Sequence, residues 1–522
     1  MPLMVGSVRD NRTHSMRRLV VWATVAFVGA LFSATAAEAQ PNVHQRGLIR
    51  STTPVEIDSG WCSAPVNSER GARENREQVV FSTVVKAPDQ ADWIRIFFGE
   101  CTLSGSLHKN TAAKVRLTSM QDSAVHVLDA RGLAVWRRSS AYFNGNRVLV
   151  ELLAGGSNEP SRLRIDRIQS GSGYSMTPLS ICGGVDDRVP SSDPRVGRIT
   201  PILCTAFLLD DPGGCLLTAG HCAAFENGAE MDVLEFNVPL SDPDGSVNFA
   251  PPQDQYPIDP DSIQYESNGI TNDWCYFGAL PNTMTGLTPS EAQGDGYALA
   301  DPVPAPDLTT IRVTGFGQDD DDDQSNYTQQ TDTGVFDFID PFNIEYDDID
   351  TKGGNSGSPV IKENENVVIG IHVGGGCDQP GFESNFAYRV DTLAIQNALN
   401  NPQGTCEQDV EPCNPDAGPC DQANGTPGCA DSACCETVCA FDAFCCEAAW
   451  DATCADGAAD LCAEPSCPAD IDGNQTVNVA DLLGLLSNWG PCDGQCAGNL
   501  DGNTVVDVND LLLLLADWGP CE

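Results

Sequence analysis

Twenty-three cysteines are placed so unevenly that they divide the chain before any other feature does. Two precede residue 110, six lie between Cys182 and Cys377, and fifteen follow from Cys406 onward. A short segment that cannot bury enough apolar surface is held by disulfides instead, and disulfides persist outside the reducing cytosol. The stretch from 405 to 467, containing CCETVCAFDAFCCEAAWDATC, therefore reads as a disulfide framework, with zinc as the alternative. An odd total leaves one thiol free or shared between chains. The N-terminus agrees with export. In MRRLVVWATVAFVGALFSATAAEAQ, Arg17 and Arg18 precede an apolar run ending in Ala37-Glu38-Ala39, the pattern of a signal peptide over 1–39. The alternative is an N-terminal membrane anchor, because the run approaches spanning length. No other segment is apolar enough to span a bilayer, so the expected location is secreted or on the extracellular surface.

A chain of 522 residues with 41% hydrophobic content suggests three or four domains with real cores. Its net charge of -46, from 74 acidic and 28 basic residues, excludes nucleic acid as a partner and favours cation binding. Over 40–180, short β-branched and aromatic runs such as VVFSTVVKA, WIRIFFGECTL and RVLVELLAG predict a β-sandwich of accessory or pro-region type, with Cys62 paired to Cys101. Over 181–402, short apolar strands alternate with Gly/Pro/Asp loops and end in a helix, VDTLAIQNALN. Asp319 to Asp323 read as a solvated acidic loop, with a weak calcium site as the alternative. A cysteine-rich spacer occupies 403–466. The tail, 467–522, is a duplication: CPADIDGNQTVNVADLLGLLSNWGPC starts at Cys467, and CAGNLDGNTVVDVNDLLLLLADWGPC starts 29 residues later at Cys496. Cys492 and Cys521 share that offset, so each repeat is expected to close its own disulfide.

Chemistry concentrates in 181–402. GGNSGSPV holds Ser356, CTAFLLDDPGGCLLTAGHC holds His221, and TNDWCYFGAL holds Asp273. A glycine-rich turn needs no further reason to contain serine. A serine hydroxyl becomes a useful nucleophile only beside a base, and a neutral imidazole oriented by a carboxylate supplies one. The order His, Asp, Ser is that of chymotrypsin-type double barrels. TAGHC, GGNSGSPV, YDDIDTKGGNSGSPV from Tyr346, VVIGIHVGG and GGVDDR together resemble the trypsin-like serine proteases, in particular their glutamyl endopeptidase (V8-like) branch. The resemblance implies His221 as general base, Asp273 as its orienting carboxylate and Ser356 as nucleophile. It also implies an oxyanion hole from the N–H groups of Gly354 and Ser356. Asp232, in MDVLEF, is the substitute carboxylate. Thr351 and His372 fall where that branch lines its primary pocket, implying preference for Glu or Asp at P1. Lys352 and Cys377 depart from the branch, and Lys352 could add positive charge near the pocket. A bridge from Cys204 to Cys222 is implied, with Cys215–Cys275 and Cys182–Cys377 as further pairings. If residues 40–184 are a pro-region, cleavage near Gly184 raises activity.

In the tail, DIDGNQTVNVADLL and NLDGNTVVDVNDLL put oxygen side chains at calcium-loop spacing. The expected ligands are Asp470, Asp472, Asn474, Asn478 and Asp481, then Asn499, Asp501, Asn503, Asp507 and Asp510, with Thr476 and Val505 offering carbonyls. The pair resembles dockerin type I repeats, which implies Ca2+ and a cohesin-like protein partner; an Asp/Asn turn is the alternative. The expected fold is mainly β: a chymotrypsin-like double β-barrel preceded by a β-sandwich, followed by a disulfide-rich segment and a small α-helical EF-hand-like domain. The expected function is a secreted serine endopeptidase acting on proteins or peptides, with no cofactor in the chemistry. The alternatives are a calcium-dependent surface assembly protein with an inactive protease-like domain, and a protease of different P1 preference.

Overall fold

The structure, a computed structural model, describes residues 47–63, 78–107, 109, 111–156, 159–175, 180–224, 231–336, 338–377, 384–407, 413–415, 417–424, 426–442, 444–447, 449–462, 467–492 and 496–521. The expected signal peptide, 1–39, lies outside the described residues. Among them, no helix is long and apolar enough to cross a membrane.

The N-terminal part forms two four-stranded antiparallel sheets. One runs in the order Ser51–Asp58, Arg164–Gly171, Trp93–Phe98, Phe143–Asn144; the other runs Gln78–Lys86, Arg147–Ala154, Lys114–Ser119, Val125–Leu128. Lys114–Ser119 shows the cause: alternate residues Val115, Leu117 and Ser119 are buried, so one face of the strand points inward. Ile94, Ile96 and Ile168 from one sheet meet Val115, Leu117 and Val150 from the other in one core. The expected Cys62–Cys101 bridge is absent, and both thiols are free. Cys62 pairs with Ser161 on one side of a strand segment, whereas Thr102 pairs with Arg162 on the other, so that segment separates the two cysteines.

Two larger antiparallel sheets follow, and their curvature gives two half-barrels. The first, seven-stranded, has the order Gln255–Pro257, Met231–Glu235, Val196–Pro201, Cys204–Leu208, Leu216–Thr218, Asp273–Phe277, Gln264–Ser267. The second, eight-stranded, has at its centre Thr310–Gly315, Pro359–Lys362, Val367–Gly374 and Asn385–Arg389. Phe207, Leu217 and Phe277 of the first share a core with Ile311, Val360 and Ile371 of the second.

Val196–Pro201 is buried at every position because both of its faces are covered. Arg198 lies within it at 0% exposure, and its three guanidinium nitrogens bond Glu235 (3.0 Å), the Tyr327 carbonyl (2.8 Å) and the Asn248 carbonyl (2.7 Å). A buried charge is tolerable only when satisfied in this way.

The sandwich is fused to the first half-barrel. Val233, Val247, Phe249 and Tyr327 belong to the sandwich core, and Arg95 pairs with Asp232 across the junction. The Gln255 side chain accepts from Tyr142 N–H (2.9 Å) and donates to the Tyr142 carbonyl (2.9 Å).

The spacer contains five disulfides, Cys413–Cys435, Cys420–Cys429, Cys434–Cys462, Cys439–Cys446 and Cys445–Cys454, packed around Trp450 and Val438. Asp431 and Asp451 cap its helices Ser432–Phe441 and Ala452–Leu461. It rests on the sandwich through Arg131, which bonds Asp451 at 2.9 and 3.0 Å and lies 4.4 Å over the Phe444 ring.

Three further expected pairings are corrected. Cys215 bonds Cys406 rather than Cys275. The register Leu216↔Phe277 and Thr218↔Cys275 sets Cys215 opposite Gly278, leaving Cys275 buried and free. Three thiols are thus free, not one. In the tail, the pairs are Cys467–Cys521 and Cys492–Cys496, not one bridge within each repeat. The repeats exchange ends: Thr476–Val477 pairs with Gly519–Pro520, and Gly490–Pro491 pairs with Val505–Val506.

Candidate active site

Antiparallel pairing of Leu216–Thr218 with Asp273–Phe277 carries the turn after Thr218 to the start of the partner strand. That turn opens the short helix Gly220–Ala223, which holds His221. A Cβ on Gly220 would overlap the Glu266 carbonyl, so only glycine permits this approach. Asp273 grips His221 with both oxygens. Oδ1 accepts the backbone N–H at 2.6 Å, and Oδ2 lies 2.7 Å from Nδ1. With the carboxylate as acceptor, Nδ1 carries the proton and Nε2 keeps its lone pair. Asp232 is not the partner, because Arg95 and Arg137 engage it at the sandwich junction.

Ser356 arrives from the second half-barrel. Thr205 N–H donates to the Ser356 carbonyl (2.8 Å), and Thr205 Oγ1 donates to the Gly354 carbonyl (2.8 Å). Thr205 thereby fastens the serine loop to the strand that also holds Cys204. A Cβ on Gly357 would overlap Thr218 Oγ1 and lie 3.1 Å from Ala219 N, so the loop rests directly on the residues preceding His221. Cys204–Cys222 closes the same corner. Gly354 has φ +110°, a left-handed value that side chains resist. The Gly353 carbonyl accepts from Gln318 N (2.8 Å) and the Asn355 carbonyl from Ser358 N (2.9 Å). In a trans peptide the N–H points opposite the carbonyl, so the Gly354 and Ser356 amides turn away from these bonds. Among the described residues neither amide donates a hydrogen bond. Two unspent donors beside a half-buried hydroxyl can stabilise a negative oxygen.

Thr351 and His372 are both buried near this loop, His372 at 3% exposure. The His372 carbonyl accepts from Gly357 N (2.8 Å), and its N–H donates to the Ser358 carbonyl (2.9 Å). Its Nδ1 lies 2.6 Å from the buried Tyr346 hydroxyl. Burial, with a smaller contribution from nearby His221, pushes the imidazole down to about 3, so it is neutral at ordinary pH. Lys352 adds no free charge, because Asp186 (3.5 Å) and Asp320 (3.4 Å) pair with it. Sequence reasoning gave no role to Thr205 or Tyr346. Tyr346 opens the quoted YDDIDTKGG stretch, whereas nothing in the sequence around Thr205 marks it. Gly183 and Gly184 are exposed, and Cys182 is bonded to Cys377.

In the tail, carboxylate oxygens of Asp470, Asp472 and Asp481 lie within 4.8 Å of one another, as do those of Asp501, Asp507 and Asp510. Among the described residues Asn499 Oδ1 is buried without a hydrogen-bond partner, which suits a cation-binding oxygen. Asn478 and Asp507 also cap the helices Val479–Ser487 and Val508–Ala516. Asn474 Oδ1 meets Asn478 Nδ2 (3.4 Å), and Asn503 Nδ2 donates to Asp501 (2.7 Å). The Asp319 to Asp323 run is a hydrogen-bonded turn: Asp319 accepts from the amides of Asp321 and Asp322 and from Gln330, and Asp322 caps the following helical turn.

Residues 184–395 match the family model described as Trypsin. A search of curated proteins returns no match. Solved structures include a Glu endopeptidase in complex with MPD, with 18% identity, TM-score 0.33, and coverage of 42% of this chain and 96% of that one. They also include the thermostable serine protease AL20 from an extremophilic microorganism, at 15% identity and TM-score 0.31, covering 40% of this chain and 97% of that one. Protease Anisep from Arthrobacter nicotinovorans has 14% identity and TM-score 0.31, covering 41% of this chain and 97% of that one.

Proposed function

From residues 184–395 as a trypsin-like serine protease domain, which makes the chain a serine endopeptidase acting on proteins or peptides, we propose that His221, Asp273 and Ser356 carry out the hydrolysis. His221 Nε2 takes the Ser356 proton as Oγ attacks the scissile carbonyl, then returns it to the leaving amine. Asp273 holds the required tautomer and stabilises the imidazolium. The Gly354 and Ser356 amides receive the oxyanion, and one such donor contributes roughly 3–4 kcal/mol to the transition state. Water then repeats the sequence on the acyl-enzyme. The observation that carries this reading is the two-oxygen grip of Asp273 on His221. A fluorophosphonate probe tests it: labelling maps to Ser356 and disappears in His221→Ala, whereas an unlabelled native chain favours an inactive assembly protein.

Thr351 and His372 supply the P1 preference for Glu or Asp in this reading. If Tyr346 donates to His372 Nδ1, Nε2–H is left as a neutral donor for a side-chain oxygen. Sequencing the products of a denatured-protein digest decides the point, since cuts spread over basic or apolar residues oppose it. The chain is taken to act outside the cell. Its tail would hold two Ca2+ ions through Asp470, Asp472, Asn474, Asn478 and Asp481, and through Asn499, Asp501, Asn503, Asp507 and Asp510; each ion draws its loop's oxygens together. The exposed apolar residues Val479, Leu483 and Leu486 recur as Val508, Leu512 and Leu515, which supports a protein partner of cohesin-like kind on the helix faces.

A further inference from the structure

The oxyanion glycine is braced from outside the protease domain. A Cβ on Gly354 would overlap the Phe316 carbonyl and lie 2.8 Å from Tyr327 Cε1, so the Tyr327 ring covers the glycine's Cα. Tyr327 has little freedom of its own. It is buried, has φ +52°, donates its N–H to the Gly317 carbonyl (2.9 Å), and accepts from buried Arg198 at 2.8 Å. Its ring is closed off by Tyr174, edge-on at a centroid distance of 4.8 Å and an interplanar angle of 74°. Tyr174 precedes the residues that match the trypsin family. It sits on a two-residue strand, Tyr174–Ser175, paired with Gly47–Leu48. Gly47 is in turn seated against Pro201 and Ile202 of the first half-barrel, so closely that a side chain there would overlap their backbone.

We propose that Tyr174 is a positioning residue for the hydrolysis, holding the Tyr327 ring against Gly354 so that the Gly354 amide stays aimed at the developing oxyanion. The proposal rests on the oxyanion role given above to Gly354. It makes the N-terminal region a working part of the enzyme, in contrast to a pro-region that leaves after cleavage. Removing the Tyr174 ring opens space behind Tyr327 and lets the glycine amide drift. Small misplacement of a transition-state donor is felt in turnover and much less in ground-state binding.

The test uses the full chain, a peptide amide substrate, a peptide aldehyde whose adduct places an oxyanion in the hole, and the matching product peptide. Fluorophosphonate labelling of the unaltered chain at Ser356 first establishes the underlying reading; failure there removes that reading rather than this one. In Tyr174→Ala, kcat falls by about tenfold to a hundredfold while KM changes by less than about twofold. Aldehyde affinity falls in parallel, and product-peptide affinity holds. Tyr174→Phe, which keeps the ring, restores kcat to within about twofold. Should Tyr174→Ala not fold, Tyr174→Leu fills the volume without the ring edge and is read in the same assays. Unchanged kcat, equal weakening of aldehyde and product peptide, or no rescue by Phe would each overturn the proposal.

Discussion

Replacing Asp273 by Asn changes almost no volume, yet the geometry predicts a large loss. Both carboxylate oxygens are committed, Oδ1 to the His221 backbone N–H at 2.6 Å and Oδ2 to Nδ1 at 2.7 Å. The backbone N–H can only donate, so the single oxygen of Asn stays with it. The amide NH2 then faces Nδ1, which must accept instead of donate. The ring proton moves to Nε2, the nitrogen that has to receive the Ser356 proton, and the base is lost. An imidazole in the wrong tautomer lowers kcat by about 10⁴-fold, equivalent to about 5.4 kcal/mol in the barrier. KM should hold, because no substrate contact is altered. Steady-state hydrolysis of a peptide anilide gives kcat and KM, and circular dichroism confirms that the variant is folded. A folded Asp273→Asn variant with kcat within tenfold of the parent would refute the reasoning.

Four further outcomes are expected. His372 is neutral down to about 3, so the ratio of kcat/KM for Glu over Gln at P1 stays constant from pH 8 to 5.5. A charged imidazole would raise that ratio as pH fell through the usual histidine range near ~6.5. Loss of the Cys204–Cys222 bridge, with a separation of 18 residues, in Cys204→Ala/Cys222→Ala lowers stability by about 3 kcal/mol in urea unfolding. His126 is fully buried, and burial pushes it down to about 3. The native form therefore stays neutral while the unfolded chain takes up a proton below ~6.5, so this contribution is complete above that pH and is lost as pH falls towards 3. His126→Gln flattens the acid profile by ~1.4 kcal/mol per pH unit in that window, and parallel urea midpoints across it would contradict the assignment. Terbium, a luminescent calcium substitute, should bind the tail at two sites sensitised by Trp489 and Trp518, with Asp470→Asn and Asp501→Asn each removing one. Chelation should leave Ser356 labelling unchanged.

The residues proposed for the chemistry were legible because their motifs are local. TAGHC and GGNSGSPV each hold a reactive side chain inside the turn that presents it, and Asp273 opens a strand whose neighbour leads into His221. The choice between Asp273 and Asp232 needed three dimensions, since Arg95, distant in sequence, occupies Asp232. Burial was equally out of reach. A histidine placed to bind a carboxylate invites a positive charge, but burial, with a smaller contribution from His221, keeps His372 neutral. Register decided Cys215, which stands opposite Gly278, three residues beyond Cys275 on the partner strand, where Cys406 meets it instead. The duplication in the tail was plain, yet equal offsets fit pairing within repeats and pairing between them. Only the exchanged two-residue strands distinguish the alternatives.

The bond from Cys467 to Cys521 makes the tail a closed loop whose entrance and exit adjoin. A single cut between these two cysteines therefore leaves both fragments joined through the bridge, a useful property for an appendage carried by a protein-cutting enzyme.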